Sequence, residues 1–178
     1  MNIFISGGCK NGKSYYAQHR AKEMAESLGV PLYYIATMIP HDDEDRARIK
    51  RHISERDGWG FETIEQGLSL TDILHNDAVD KSGVFLMDSV TALLDNEMFD
   101  DEGNIDDEAP ARVKGDVLEF AAGTGNTVFV SDYIYGDADL YGETVEAYRK
   151  GLAAADRALA EVCDEVIEIA YGTEERWK

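Results

Sequence analysis

Short apolar runs recur along the chain, separated by segments of a different periodicity. The runs are four to six residues long and rich in Ile, Val, Phe and Leu, which is typical of buried strands. The predicted strands are Ile3–Ser6, Leu32–Ala36, Phe61–Glu65, Val84–Met87, Thr127–Ser131 and Glu165–Ala170.

The segments between the runs predict helices. The first is indicated by apolar residues at helical spacing from Ala17 to Leu28, and Gly29 ends it. The other predicted helices are His41–Ser54, Val90–Phe99, a segment from Pro110 to about Ala122, and Glu143–Val162. We interpret Asp132–Gly142 as a loop and the polar segment from Tyr171 onward as a tail.

Strands that alternate with helices predict an α/β fold, with a mostly parallel sheet covered by helices on both faces. A chain of 178 residues is long enough for one domain with a sizeable core and short for two, so residues 1–178 are expected to form a single domain. Ligands of such sheets bind beyond the carboxyl ends of the strands. The residues that follow each strand are therefore the first place to look for a site.

The charge balance narrows the classes of partner. The formal net charge is −19, which argues against a nucleic acid or an anionic membrane as the main partner. No apolar run approaches the length of a membrane span, and no signal-peptide pattern is present, so the expected location is the cytoplasm. Cys9 and Cys163 have no metal-ligand spacing, and a disulfide is not expected in that compartment.

One motif carries clear chemistry. The segment after the first strand, Gly7-Gly8-Cys9-Lys10-Asn11-Gly12-Lys13-Ser14, matches the phosphate-binding loop G-x-x-x-x-G-K-[ST]. Glycines let the backbone N–H groups converge on phosphate oxygens, and the helix that follows adds its positive end. Lys13 is expected to contact the terminal phosphates, and the Ser14 hydroxyl is expected to bind Mg²⁺.

A phosphate-binding loop of this kind works with an acidic residue that orients Mg²⁺. Asp88 directly follows the apolar strand Val84–Met87 and is the best candidate in the chain. The alternative is that Asp88 or Ser89 caps the next helix.

His52 is the next candidate. It lies in Arg46–His52, the most basic stretch of an acidic chain. A neutral imidazole can act as a nucleophile toward phosphorus, and nearby cations favour phosphate contact. The alternative is a solvated helix face with no chemical role.

Together these segments resemble the bifunctional adenosylcobinamide kinase and adenosylcobinamide-phosphate guanylyltransferase family of cobalamin biosynthesis, over nearly the whole length. The residues that carry the resemblance are Ile5-Ser6-Gly7-Gly8 through Lys13-Ser14, Tyr34-Ile35-Ala36-Thr37, Ala47-Arg48-Ile49-x-x-His52-x-x-x-Arg56, Thr63-x-Glu65, and Ala160 through Asp164-Glu165-Val166.

The resemblance implies a RecA-like P-loop fold, a homotrimer and a role for each matching residue. His52 and Lys13 are the implied catalytic residues, with His52 attacking the α-phosphate of GTP to form a guanylylated intermediate. Ser14 and Asp88 are the implied Mg²⁺ ligands, and Asp88 stands where the family usually has a longer Glu. The implied nucleotide contacts are Gly7 through Ser14, Ala36, Thr37, Met38, Ile53, Ser54, Glu55, Arg56, Glu65 and Asp88.

Two reactions are implied. The first transfers the γ-phosphoryl group of GTP or ATP to the hydroxyl of adenosylcobinamide. The second transfers GMP from GTP, through His52, to the new phosphate, and Mg²⁺ serves both. Two other functions remain open: a P-loop kinase for another small alcohol, which needs no nucleophilic histidine, and a GTP-binding protein without turnover.

The chain departs from the family after the strand Thr127–Ser131. The family usually has an Asn-Glu-Val-Gly-like run there, whereas this chain has Asp132-Tyr133-Ile134-Tyr135. An Asn of the family's late helix is Asp156 in this chain. We expect the loop Asp132–Gly142 to help bind the corrinoid.

Overall fold

The computed structural model describes residues 1–100 and 102–178, without the side chains of Arg48 and Glu55. The described strands are β1 Ile3–Gly7, β2 Leu32–Ala36, β3 Glu62–Glu65, β4 Val84–Asp88, β5 Thr127–Asp132, β6 Glu165–Ala170 and β7 Thr173–Arg176. The described helices are α1 Lys13–Leu28, α2 Asp43–Glu55, α3 Val90–Met98, α4 Ala109–Thr124 and α5 Glu143–Val162, with a 3₁₀ helix at Leu70–His75.

The strands form one sheet in the order β3-β2-β4-β5-β1-β6-β7. Every neighbouring pair is parallel except β6 and β7, which are antiparallel. The carboxyl ends of β1 to β6 therefore share one edge of the sheet. This agrees with the mostly parallel, helix-covered sheet that the sequence predicts.

The two faces of the sheet carry separate apolar cores. In β1, Ile3 and Ile5 point to the face covered by α1, and Phe4 points to the face covered by α3, α4 and α5. The central strands β1, β2, β4 and β5 are buried on both faces, which explains why they appear in the sequence as continuous apolar runs rather than as alternating ones.

Helix α2 differs from the other helices. Its N-cap is Asp42, whose side chain accepts a hydrogen bond of 2.8 Å from the backbone N–H of Asp45. None of its described side chains is buried. Among the described residues, α2 therefore has no buried apolar face, and it carries His52 in its last turn.

The sequence analysis missed β7 and treated this segment as a tail. The strand Thr173–Arg176 is fully exposed and polar, and it pairs with β6 through a turn at Tyr171 and Gly172, both of which have positive φ. It offers no apolar signal because both of its faces meet water.

Candidate functional site

Five strands end in residues that gather at one edge of the sheet. The last residues of β3, β2, β4, β5 and β1 are Glu65, Ala36, Asp88, Asp132 and Gly7. Strand pairing places Ala36 beside both Glu65 and Asp88, and Gly7 beside Asp132. Four of the five are residues that the sequence analysis selected, and the fifth, Asp132, was noted only as a departure from the family pattern.

The loop after β1 has the shape that its glycines allow. Gly12, the N-cap of α1, has φ 88°, a left-handed conformation that favours glycine. A Cβ on Gly7 would lie 2.3 Å from the carbonyl oxygen of Ile169, so the close approach of β1 and β6 requires a glycine there. Helix α1 begins at Lys13, and its N-terminal N–H groups face the loop.

A cavity of about 560 Å³, the P-loop cavity, opens against this loop. Cys9, Lys10, Asn11, Gly12, Lys13 and Ser14 line it on one side, and Glu44, Ala47, Arg51 and His52 line it from α2. The predicted phosphate-binding loop thus borders a space that α2 covers. Gly7 and Gly8 shape the loop without lining the cavity.

The ammonium of Lys13 is almost fully enclosed, with 5% of the residue exposed. It donates hydrogen bonds to the carbonyl oxygen of Gly8 at 2.7 Å and to Oδ1 of Asp132 at 2.6 Å. The second contact is an ion pair between β5 and the phosphate-binding loop.

Asp88 does not cap α3, because the neighbouring Ser89 does. The carboxylate of Asp88 can therefore take part in the site. Ser89 Oγ accepts the N–H of Ala92 at 3.2 Å and so caps α3. The carboxylate of Asp88 instead accepts a hydrogen bond of 3.1 Å from the hydroxyl of Tyr34. Of the two capping alternatives for this position, the structure favours Ser89.

A second cavity of about 590 Å³, the larger cavity, lies beyond β2, β3 and β4. Its apolar walls are Ala36, Met38, Ile39, Pro40, Ile49, Ile53 and Ala92, and its polar groups include Arg56, Glu65 and Gln66. A mostly apolar cavity with a few polar groups is typical of a site for a small organic ligand.

Arg56 is the most enclosed cation of this cavity. The residue is 6% exposed, and its guanidinium lies 3.5 Å from the ring centroid of Tyr34. Its Nη1 is buried and has no hydrogen-bond partner among the described residues. A buried donor of this kind is costly unless a ligand supplies an acceptor.

His52 lies where the two cavities meet. It lines both of them, together with Ser14, Asp88 and Asp132. The imidazole is half-buried at the C-terminal end of α2. It therefore faces a ligand that extends from the phosphate-binding loop into the larger cavity.

The comparisons with known proteins begin with the fold. Two solved structures resemble the chain at low identity. The first is the ATPase domain of G40P, with a TM-score of 0.52, 11% identity, 94% of this chain covered and 68% of that chain covered. The second is the KaiC-like protein PH0186 from Pyrococcus horikoshii, with a TM-score of 0.53, 13% identity and coverages of 94% and 71%. They support the predicted RecA-like P-loop fold and nothing more specific.

No individual protein of established function matches the chain significantly in sequence. The family model of cobinamide kinase / cobinamide phosphate guanyltransferase, in contrast, matches residues 3–176. The chain belongs to the cobinamide kinase / cobinamide phosphate guanyltransferase family. The family assignment made from the motifs is confirmed, and with it a transferase role in cobamide biosynthesis that uses nucleotides and a corrinoid.

In this member of the cobinamide kinase / guanyltransferase family, some of the predicted nucleotide contacts do not line either cavity. Thr37 is fully buried, and its hydroxyl is bound to both the N–H and the carbonyl of Ser89, at 2.7 and 3.0 Å. Its side chain thus fixes the loop after Asp88 rather than lining a cavity. Ser54 is exposed and lines neither cavity, and the side chain of Glu55 lies outside the described residues.

Three of the residues that depart from the family pattern, Asp132, Tyr135 and Asp156, make polar contacts near the end of β5. The backbone N–H of Asp132 donates to Thr91 Oγ1 at 2.9 Å, and the hydroxyl of Tyr135 donates to Oδ2 of Asp156 at 2.8 Å. Burial raises the pKa of Asp156 to about 6, although hydrogen bonds from Ser131 and Tyr135 act in the opposite direction. This carboxyl is thus costly to ionise where it lies.

Besides the contact of Tyr135 with Asp156, Arg149 of α5 ties the loop between β5 and α5 to that helix. Arg149 donates hydrogen bonds to Asp137 at 2.8 Å and to Glu146 at 2.6 Å, and its guanidinium lies 4.7 Å from the ring centroid of Tyr141. Leu140 at the tip of this loop is 99% exposed. The loop is therefore fixed to α5 by Arg149, and its apolar tip at Leu140 is exposed to solvent.

The residues predicted to bind Mg²⁺ suit that ion. The hydroxyl of Ser14 and the carboxylate of Asp88 border both cavities and are hard oxygen ligands. No cluster of three or more His, Cys, Asp or Glu able to hold a metal occurs among the described residues. Across the same residues, no helix is long and apolar enough to cross a membrane.

Proposed function

We propose that this chain phosphorylates adenosylcobinamide and then transfers GMP from GTP to the resulting phosphate, through a guanylylated His52. The observation that carries the proposal is the position of His52 between the P-loop cavity and the larger cavity, beside Ser14 and Asp88. A nucleophile for an α-phosphate belongs between the site of the outer phosphates and the site of the base.

The kinase step uses the phosphate-binding loop. Lys13, the loop N–H groups and the positive end of α1 stabilise charge on the transferred group, which is the main requirement of phosphoryl transfer. Ser14 and Asp88 would hold Mg²⁺, which would supply further charge neutralisation. The acceptor hydroxyl forms a bond to the γ-phosphorus and loses its proton to water, while the bond to the β-phosphate oxygen breaks. We propose that GTP or ATP serves as donor in this step.

The guanylyl step uses His52. An imidazole nitrogen forms a bond to the α-phosphorus of GTP, and the bond to pyrophosphate breaks. An oxygen of adenosylcobinamide phosphate then displaces His52 and yields adenosylcobinamide-GDP. The covalent intermediate avoids a direct attack of one phosphate anion on another. Arg51 lines the P-loop cavity and favours the pyrophosphate that leaves.

The larger cavity suits the guanine base. Ala36, Met38 and Ile53 supply apolar contact, and Arg56 and Glu65 supply a donor and an acceptor. Guanine offers the complementary groups, because its N7 and O6 accept hydrogen bonds and its amino group donates. The unsatisfied Nη1 of Arg56 supports this assignment.

The corrinoid is too large for either cavity, so we propose that it binds outside them, against the loop Asp132–Gly142 and near a subunit boundary of a homotrimer. The exposed Leu140 and Tyr141 supply apolar surface for it. The net charge of −19 supports the absence of nucleic acid and of an anionic membrane among the partners.

A product analysis tests this function. The protein is incubated with Mg²⁺, ATP, GTP and adenosylcobinamide, and the corrinoids are separated and identified by mass. We expect adenosylcobinamide phosphate first and adenosylcobinamide-GDP later. His52→Ala should stop at the phosphate, whereas the matched control His75→Ala, an exposed histidine outside both cavities, should form both products.

Two results would contradict the proposal. Formation of the GDP product by His52→Ala would remove the histidine from the mechanism. Absence of any phosphorylated corrinoid with the unmodified protein would leave the two other functions considered from the sequence, a kinase for a different alcohol or a nucleotide-binding protein without turnover.

A further inference from the structure

Asp132, the last residue of β5, was assigned no role toward the nucleotide by the family motifs or by the sequence pattern. Its Oδ1 lies 2.6 Å from Nζ of Lys13, and the carboxylate borders both cavities. Its backbone is fixed as well, because its N–H donates to Thr91 Oγ1 and the next N–H, that of Tyr133, donates to the carbonyl of Gly7 at 3.3 Å. These backbone hydrogen bonds fix the end of β5, and the carboxylate of Asp132 is thereby held beside the ammonium of Lys13.

The ion pair between Lys13 and Asp132 competes with a nucleotide for the ammonium of Lys13. Lys13 is 5% exposed, and a buried ammonium requires a counter-charge. Asp132 supplies that charge at the place where the outer phosphates of a nucleotide are expected. A triphosphate must draw Lys13 away from Asp132, and it then lies close to a carboxylate of like charge. The same carboxylate limits how far the ammonium can move and where it points.

We propose that Asp132 is a positioning residue for phosphoryl transfer. It holds the ammonium of Lys13 in the orientation that stabilises the transferred phosphate, at the expense of nucleotide affinity. This inference rests on the proposed kinase step. Nucleotide binding and corrinoid phosphorylation are measured separately, so that a result against the kinase step is distinguishable from a result against the role of Asp132.

The first measurement compares affinity with turnover in Asp132→Asn, which keeps the shape of the side chain and removes its charge. We expect the nucleoside triphosphate to bind about threefold or more tightly, because a like charge has been removed. We expect kcat for corrinoid phosphorylation to fall by about tenfold to a hundredfold, because Lys13 is misplaced. Asp132→Glu should recover part of the turnover, and the matched control Asp77→Asn, exposed and outside both cavities, should change neither value.

Opposite changes in affinity and turnover distinguish positioning from a purely structural role. If both fall together with the melting temperature, or if both stay within twofold of the unmodified protein, the inference is wrong. Affinity is measured by calorimetry with a non-hydrolysable triphosphate, so this arm remains informative even if the unmodified protein phosphorylates no corrinoid. In that case the proposed function fails, and tighter binding by Asp132→Asn still supports the competition between Asp132 and phosphate.

A double-mutant cycle tests whether Asp132 acts through Lys13. Lys13→Met removes the ammonium and keeps most of the stem. In that background, Asp132→Asn should raise triphosphate affinity by a smaller factor than in the unmodified protein, because the competition for Lys13 is gone and only the repulsion between like charges remains. Equal effects of Asp132→Asn in the two backgrounds would overturn the inference.

Discussion

The guanidinium of Arg56 lies against the ring of Tyr34, and the hydroxyl of the same tyrosine donates to Asp88. One side chain of β2 thus joins a buried cation of the larger cavity to the acidic residue of the P-loop cavity. Arg56, the C-cap of α2, and Asp88, the last residue of β4, are therefore connected through Tyr34. This connection predicts different effects for substitutions of Tyr34 and of Arg56.

Tyr34→Phe removes the hydroxyl and keeps the ring, so it tests the contact with Asp88 separately from the contact with Arg56. The ring still supports Arg56, but Asp88 loses a hydrogen bond, so the protein should lose about 1 kcal/mol of stability. Because Asp88 is then less well oriented, a higher Mg²⁺ concentration should be needed for half-maximal turnover. Mg²⁺ titrations of the kinase step measure this. An unchanged Mg²⁺ dependence would show that the contact does not serve the metal site.

Arg56→Lys should weaken GTP binding despite the conserved charge. Lysine cannot present a planar group to the tyrosine ring and a second donor to the cavity at once. We expect a loss of affinity for GTP of about tenfold, the factor expected for one hydrogen bond to a charged group. Calorimetric titration with GTP and ATP measures the effect. If Arg56 reads guanine, the preference for GTP over ATP should shrink, and equal losses for both nucleotides would contradict that role.

Thr37→Val should lower the stability of the protein without removing a ligand contact, because the side chain of Thr37 lines neither cavity. It removes the hydroxyl that binds both backbone groups of Ser89, within a fully buried site, so we expect a loss of about 1–3 kcal/mol of stability. Urea unfolding provides the measurement. Thr37→Ser keeps the hydroxyl and should retain most of the stability. A valine variant as stable as the original protein would show that these two contacts contribute little.

Asp156→Asn should stabilise the protein in a pH-dependent way. Burial raises the folded-state pKa of Asp156 to about 6, above the unfolded value, so the native state binds the proton more tightly and loses stability as pH rises from about 4 to about 6. Above that range the ionised aspartate should cost up to about 3 kcal/mol relative to a neutral amide.

Unfolding at pH 4, 6 and 8 tests the sign. The advantage of Asp156→Asn should be close to zero at pH 4 and largest at pH 8, and Asp77→Asn should show no such trend. An advantage that is the same at all three pH values would show that the ionisation of Asp156 does not matter.

The fold was largely predictable because its central strands, β1, β2, β4 and β5, are buried on both faces. Six apolar runs correspond to six strands, and the periodicity before Gly29 gave α1. β7 could not be found in this way, since Thr173–Arg176 is exposed on both faces. Its strand character comes from pairing with β6 across a tight turn.

The site was predictable only as far as local motifs reach. The phosphate-binding loop is contiguous in sequence, and Asp88 ends a recognisable strand. Asp132 was not assigned to the site because its partner Lys13 is far away in the chain. Only the pairing of β1 with β5 brings the two together. The nucleotide contacts predicted from the family motifs remain predictions, and Thr37 illustrates that such a residue can act by fixing a neighbouring loop.

The central claim is that His52 forms a covalent bond to GMP, and one labelling experiment tests it most directly. The protein is incubated with Mg²⁺ and GTP labelled at the α-phosphate, without corrinoid, and protein-bound label is counted after denaturation. We expect label that is labile to acid and stable to base, as in a phosphoramidate. It should be absent in His52→Ala and present in His75→Ala. GTP binding without protein-bound label, or label that persists in His52→Ala, would contradict the account.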